Sequence, residues 1–163
     1  PKNKQLLSLA TVFNAPFTVY SSNSSKSYRN TCEQLKIPCL LFEGGKSLES
    51  NKHIVKEGVD GVMRVLNHLE MLQTTLSKPT EKKPPVIIDK STWIRAQKSG
   101  LLHIKIDCNK LVKKGEFLAT ITDPYGTMRF KVLAPNEGYI INVNQASIVN
   151  QGDAIFHISK HIV

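Results

Sequence analysis

Glu43 is the residue around which chemistry can be built. It follows a charge-free run, Pro38-Cys-Leu-Leu-Phe42, and stands immediately before Gly44 and Gly45 in the stretch Ile37 to Ser47. A short apolar strand of that kind delivers one carboxylate to the start of a turn. In open α/β sheets, ligands collect at the carboxyl ends of the strands, where a carboxylate can act as a general base. The residues alone also admit a plainer reading, in which Glu43 is the first solvated residue of a loop and the glycines supply positive φ. His53 and His68 sit near Lys56, Asp60 and Arg64 and read as solvated side chains. Cys32, Cys39 and Cys108 are an odd set without a C-x-x-C spacing, which points to neither a disulfide framework nor a zinc knuckle.

The bulk composition is that of an ordinary globular protein: 163 residues, 40% hydrophobic and 21% charged, enough for one domain or two small ones. Lys and Arg number 22 against 13 Asp and Glu, a formal net charge of +9. The basic residues are scattered and the few aromatics are not interleaved with them, whereas a nucleic-acid surface needs a concentrated basic face with stacking rings. A general basic field suits small acidic substrates instead. No apolar run approaches the roughly 18 residues of a membrane span. The cysteines read as reduced and mostly packed, so the expected compartment is the cytoplasm. The first residue is Pro1 rather than Met, and a preceding portion is expected.

The elements that must position Glu43 follow from periodicity. Leu6, Leu7, Leu9, Ala10 and Phe13 predict a short helix stopping at Asn14 before Pro16, and Phe17 to Tyr20 predicts a strand. Ser21 to Ser27 reads as a serine-rich loop, Tyr28 to Leu35 as a helix, and Pro38 to Glu43 as the strand that carries the carboxylate. Val55, Val59, Val62, Leu66, Leu69 and Leu72 recur at helical spacing and predict an amphipathic helix from about Asn51 to Gln73. Gly58 and Gly61 within it are expected to allow close packing on a sheet. Arg64 is assigned to the solvated face of this helix and Arg95 to an exposed strand, so neither cation is given to a substrate. Thr74 to Pro85 reads as a linker.

Beyond the linker the periodicity switches to strands: Thr92 to Gln97, Leu101 to Ile106, Phe117 to Thr122, Phe130 to Leu133, Tyr139 to Val143 and Ala154 to Ser159. These strands contain an internal repeat. Gly100-Leu-Leu-His-Ile-Lys-Ile followed by Val112-Lys-Lys-Gly-Glu-Phe-Leu-Ala-Thr-Ile is matched by Gly138-Tyr-Ile-Ile-Asn-Val followed by Val149-Asn-Gln-Gly-Asp-Ala-Ile-Phe-His-Ile. Two copies imply two interlocked β-layers about a pseudo-two-fold axis, each V-x-x-G-[ED] supplying a turn.

The repeat resembles the barrel-sandwich fold of biotinyl and lipoyl carrier domains, with Ala134-Pro-Asn-Glu-Gly138 before the second copy. A carrier needs a lysine at the hairpin tip, and the tip Asp123-Pro-Tyr-Gly-Thr-Met128 has none; Lys131 falls within the returning strand. Taken as a whole, the chain from Pro16 onward resembles the succinylglutamate desuccinylase/aspartoacylase family of zinc-dependent amidohydrolases, relatives of the carboxypeptidases, in their C-terminal portion. The residues that carry the resemblance are Ile37 to Gly45, Gly61-Val-Met-Arg-Val-Leu-Asn-His-Leu-Glu-Met-Leu, Trp93-Ile-Arg-Ala with Ser99-Gly-Leu, and Lys114-Gly-Glu through Asp123-Pro-Tyr-Gly to Ala134-Pro.

The resemblance implies hydrolysis of an amide in a small N-acyl compound. In that family zinc polarises the carbonyl and activates water, and a carboxylate takes the water proton and passes it to the leaving amine; Glu43 matches that carboxylate. The family binds zinc through an H-x-x-E pair and a later histidine, all preceding the region that this chain resembles. Here the residue three places after His53 is Lys56, after His68 is Met71 and after His103 is Ile106. His103 and His157 complete no three-ligand zinc site with any residue identifiable in the sequence. Zinc is therefore expected in a longer enzyme and not on this chain, which by itself should hydrolyse nothing.

The expected fold class is α/β: residues 1–75 as the C-terminal part of a zinc-peptidase-like domain that completes the catalytic sheet, 76–85 as a linker, and 86–163 as an all-β barrel-sandwich domain. The second domain would flank the site, limit access to small substrates, or make subunit contacts in a homo-oligomer. Tyr125 at the hairpin tip reads as part of a plain turn, with reach toward a substrate as the other reading. The function this leads to is the C-terminal portion of a deacylase with a small-molecule N-acyl substrate, metal ligands elsewhere, and neither nucleic acid nor membrane as partner. The alternative is a noncatalytic β-rich binding module that keeps the fold without metal chemistry.

Overall fold

The computed structural model describes residues 3–46, 50–73 and 83–162. Most of the expected linker, residues 74–82, lies outside the described residues, as does Ser47. The chain divides into two compact units, Pro1–Val86 and Ile87–Val163.

The first unit contains α1 (Lys4–Phe13), the short strand β1 (Phe17–Val19), α2 (Tyr28–Gln34) and α3 (Lys52–His68). Local chemistry sets the helix ends. Asn3 and Asn51 each accept two backbone N–H bonds through their side chains, at 2.9 and 3.2 Å for Asn3 and 3.1 and 3.2 Å for Asn51, the usual N-cap arrangement. Asn14 closes α1 in the left-handed conformation at φ 56°. The helix expected to reach Gln73 stops at His68, because Glu70 turns left-handed at φ 56° and the Met71 N–H closes onto the Leu66 carbonyl at 2.9 Å.

Helices α1 and α3 pack together through glycine. A Cβ at Gly61 would stand 2.5 Å from the Phe13 ring, and one at Gly58 would stand 2.9 Å from the Phe42 ring. The two rings are themselves 5.1 Å apart. Close packing is thus the reason for both glycines, but its object is a pair of aromatic rings rather than the expected sheet. The apolar stripe of α3 is likewise not a core face within this unit: Val55, Val59 and Val62 are exposed by 57, 56 and 51%. Periodicity identifies what a helix can bury, not whether it is covered, and the described residues leave these three valines exposed.

The second unit contains β2 (Val86–Arg95), β3 (Gly100–Ile104), β4 (Leu111–Val112), β5 (Phe117–Thr122), β6 (Arg129–Leu133), β7 (Gly138–Val143), β8 (Ile148–Val149) and β9 (Ala154–Ile162). Within it one sheet runs β2-β9-β7-β4 and the other β6-β5-β3-β8, with antiparallel pairing. The copies of the repeat interlock: β4 from the first copy joins the sheet of β7 and β9, while β8 from the second joins that of β3 and β5. Their inward side chains, among them Leu118, Ile121, Ile140, Ile155, Phe156 and Ile158, form one buried cluster. The architecture is two antiparallel sheets around a shared core; among the described residues no closed barrel forms.

The repeat is built from matched hydrogen bonds. The Glu116 carboxylate accepts from the Lys113 N–H at 2.8 Å, and that of Asp153 from the Asn150 N–H at 2.7 Å. Between them Gly115 and Gly152 take φ of 82° and 96°, where a side chain would be strained. Each turn glycine then donates 2.8 Å to a buried alanine carbonyl, Gly115 to Ala134 and Gly152 to Ala96. Ala96-x-x-x-Gly100 and Ala134-x-x-x-Gly138 therefore extend both copies backward.

Candidate functional site

Glu43 lies on an exposed, extended segment. Residues 37–44 are not assigned to a strand, and among the described residues the backbone of Leu41 to Gly44 makes no hydrogen bond to another segment. The expected strand from Pro38 to Glu43 is corrected on this point. Its residues have strand-like chemistry, but a strand is defined by a paired neighbour, and the described residues supply none. The segment is held instead by side chains. Phe42 lies against Gly58, and a Cβ at Gly44 would meet Ile54 at 2.6 Å. Gly45, at φ 91°, turns the chain immediately afterward.

An open recess of about 300 Å³ is lined by Phe13, Phe42, Gly58, Val59, Val62 and Met63; Glu43 itself is not part of its lining. Its walls are apolar, so it offers shape and desolvation but no acid, base or nucleophile. The cysteines of this unit do not line it. Cys32 is buried, and burial together with a hydrogen bond to Cys32 pushes the Cys39 thiol above its ordinary value, away from the reactive thiolate. The Tyr28 hydroxyl is also raised, first by its hydrogen bond with Cys32. Cys108 is exposed, so only one of the three cysteines is fully packed.

Arg64 corrects a second expectation. It is half-buried, not solvated, and its guanidinium donates to the carbonyls of Val12, at 3.3 Å from Nε, and Phe13, at 3.1 Å from Nε with a further short bond from a terminal nitrogen. A cation at the last turn of α1 satisfies carbonyls left over by the helix and opposes the negative end of its dipole. Arg95 is exposed and donates 2.8 Å to the Gly152 carbonyl.

In the second unit, His103 is exposed and shares a 2.9 Å hydrogen bond with the Thr122 hydroxyl. His157 lies 2.8 Å from the Ser91 hydroxyl and stacks on Trp93, with centroids 4.6 Å apart and planes 10° from parallel. The Ser91, Trp93 and His157 cluster was not apparent from the sequence. The signal for it is the register of β2 on β9, which sets Trp93 opposite His157. Among the described residues no group of three His, Cys, Asp or Glu side chains could hold a metal ion. The described residues thus do not by themselves fit a zinc site. At the hairpin tip, the Asp123 carboxylate is held below the usual range by hydrogen bonds from the Thr127 hydroxyl and the Met128 N–H, and Tyr125 projects 88% exposed. No helix among the described residues is long and apolar enough to cross a membrane.

No family model and no curated protein matches the sequence. Solved structures do. The chain is similar to the ectoine utilization protein EutE (DoeB) from Ruegeria pomeroyi, with TM-score 0.81 and 20% identity over 95% of this chain and 50% of that one. It is similar to a succinylglutamate desuccinylase/aspartoacylase from Rhodobacter sphaeroides, with TM-score 0.82 and 21% identity over 96% of this chain and 49% of that one. A succinylglutamate desuccinylase from Silicibacter sp. TM1040 matches with TM-score 0.78 and 21% identity over 98% of this chain and 51% of that one. The chain spans about half the length of each. At this identity the likeness is one of fold, and the fold of this chain is that of about half of a structure of the succinylglutamate desuccinylase/aspartoacylase family.

Proposed function

We propose that this chain acts as the C-terminal portion of a zinc-dependent hydrolase that cleaves the amide bond of a small N-acyl amino acid or similar compound, with the metal ligands outside the chain. The observation that carries the reading is the likeness of fold along nearly the whole chain to about half of a succinylglutamate desuccinylase/aspartoacylase and of a succinylglutamate desuccinylase. The metal would polarise the amide carbonyl when bound by the rest of the enzyme. The contribution of this chain is Glu43, which takes the proton of the attacking water and returns it to the leaving amine. The neighbouring Phe42 is part of the lining of the apolar recess in the same unit.

Two measurements test this. The 163-residue chain, incubated with zinc and dialysed exhaustively, is expected to retain no stoichiometric metal; one zinc per chain would mean that histidines read as solvated or structural form a site. In the complete gene product, Glu43→Gln is expected to lower kcat for N-acyl amino acid hydrolysis by about 10² to 10⁴ with little change in KM. Undiminished turnover by that variant would remove Glu43 from the chemistry.

A further inference from the structure

β6 is the outer strand of the β6-β5-β3-β8 sheet, and its five residues alternate. Arg129, Lys131 and Leu133 are exposed, while Phe130 is half-buried against the core and Val132 is buried. The opposite edge of the same sheet, β8, is only two residues long. The register of β6 on β5 sets Arg129 beside Thr122, Lys131 beside Thr120 and Leu133 beside Phe117. One strand further, Leu101 follows Thr122 and His103 follows Thr120, so no carboxylate stands across the sheet from either cation. Neither Arg129 nor Lys131 makes an ion pair or a side-chain hydrogen bond among the described residues.

An outer strand leaves one side of its backbone without a ladder partner and can add a further strand whose side chains suit its own. Cations at alternate positions, about 6.8 Å apart, decide which strand that is. They repel the same edge of a second copy, where like charges would meet, and they attract a strand with carboxylates at the same spacing. The cross-strand neighbours of both cations are threonines, which offer a nucleic-acid base no ring to stack on. We propose that β6 receives an acidic, extended segment of a partner protein as an added antiparallel strand. One carboxylate stands opposite Arg129, a second opposite Lys131, and an apolar side chain opposite Leu133. Read from its N-terminus, the segment therefore has the pattern apolar-x-acidic-x-acidic. This goes beyond the deacylase reading and does not rest on it.

The test titrates a fluorescently labelled peptide, Thr-Val-Thr-Glu-Thr-Glu-Thr, with the complete gene product and follows its anisotropy. Saturable binding is expected, and the peptide with glutamine in place of both glutamates should bind about tenfold more weakly. Methylating the backbone nitrogens of one alternate set of peptide residues should abolish binding while the other set is tolerated, because a ladder along one edge uses only one set. Arg129→Glu with Lys131→Glu changes two exposed, unpaired side chains. That double variant should keep the melting temperature, reject the acidic peptide and bind Thr-Val-Thr-Lys-Thr-Lys-Thr instead. The peptide series reads the wild-type protein and decides the matter even if the double variant unfolds. The proposal is overturned if the acidic peptide does not bind saturably, if the glutamine peptide binds equally, or if both methylated peptides bind alike. It is also overturned if an oligothymidylate of similar length binds as tightly and displaces the acidic peptide. A dimer of the wild-type protein that the double variant dissociates would overturn it by assigning the edge to a second copy.

Discussion

Replacing Gly138 by alanine should destabilise the β-rich unit through one identifiable collision. A Cβ there would stand 2.2 Å from the Ser159 carbonyl oxygen and 2.8 Å from its hydroxyl. Carbon and oxygen normally approach to about 3.3 Å, so β7 and β9 would have to part by about 1 Å. Ser159 cannot yield freely. It is fully buried, its hydroxyl accepts the Tyr139 N–H at 2.8 Å and its carbonyl accepts Asn136 Nδ2 at 2.8 Å. Stretching both bonds and displacing packed backbone amounts to about 2–4 kcal/mol. In a unit of this size that lowers the melting temperature by roughly 10–25 °C. Trp93 is the sole tryptophan and lies on β2, so its fluorescence reports the unfolding of this unit. Gly152→Ala is the control: φ is 96° but no atom lies within 4 Å, so the loss should be only the strain of that conformation, about 1–2 kcal/mol. A Gly138→Ala protein that melts with the wild type, or a larger loss for Gly152→Ala, would refute the steric argument.

Arg64→Ala should expose the last carbonyls of α1 and destabilise the α1–α3 pair by about 1.5–3 kcal/mol, seen as faster amide exchange in α1; Arg64→Lys should recover only part, because an ammonium lacks the forked donor geometry. Asp123 is lowered by its Thr127 and Met128 bonds, so the stability it contributes is present above its unfolded pKa and is lost as pH falls through its folded value. Thr127→Val should move the NMR titration of Asp123 back toward the ordinary aspartate range, and an unmoved titration would refute the assignment of cause.

Much of the fold could be read before any coordinates. Asn51 before the α3 pattern, Asn14 before Pro16 and the V-x-x-G-[ED] turns act through residues a few positions apart, so the local string contains both partners of each bond. The repeat carried the second unit further, since alternating strands in two matched copies can bury their apolar faces only by interlocking. Glu43 was legible as an isolated carboxylate at the end of an apolar run, but its pairing was not, because nothing in that run states whether a neighbouring strand exists.

What the sequence determines by itself is therefore what each segment is able to bury, cap or turn: the helix stripes, the glycine turns and the strand alternation are properties of neighbours along the chain. Tertiary structure decided the rest. Arg64 and the carbonyl of Phe13 are 51 residues apart, and only folding reveals that a cation assigned to solvent closes a helix. The Ser91, Trp93 and His157 cluster depends on a register between β2 and β9 that neither strand encodes alone. The exposure of Val55, Val59 and Val62 has the same origin: periodicity creates an apolar face, but whether it is covered depends on which other surface the fold brings against it.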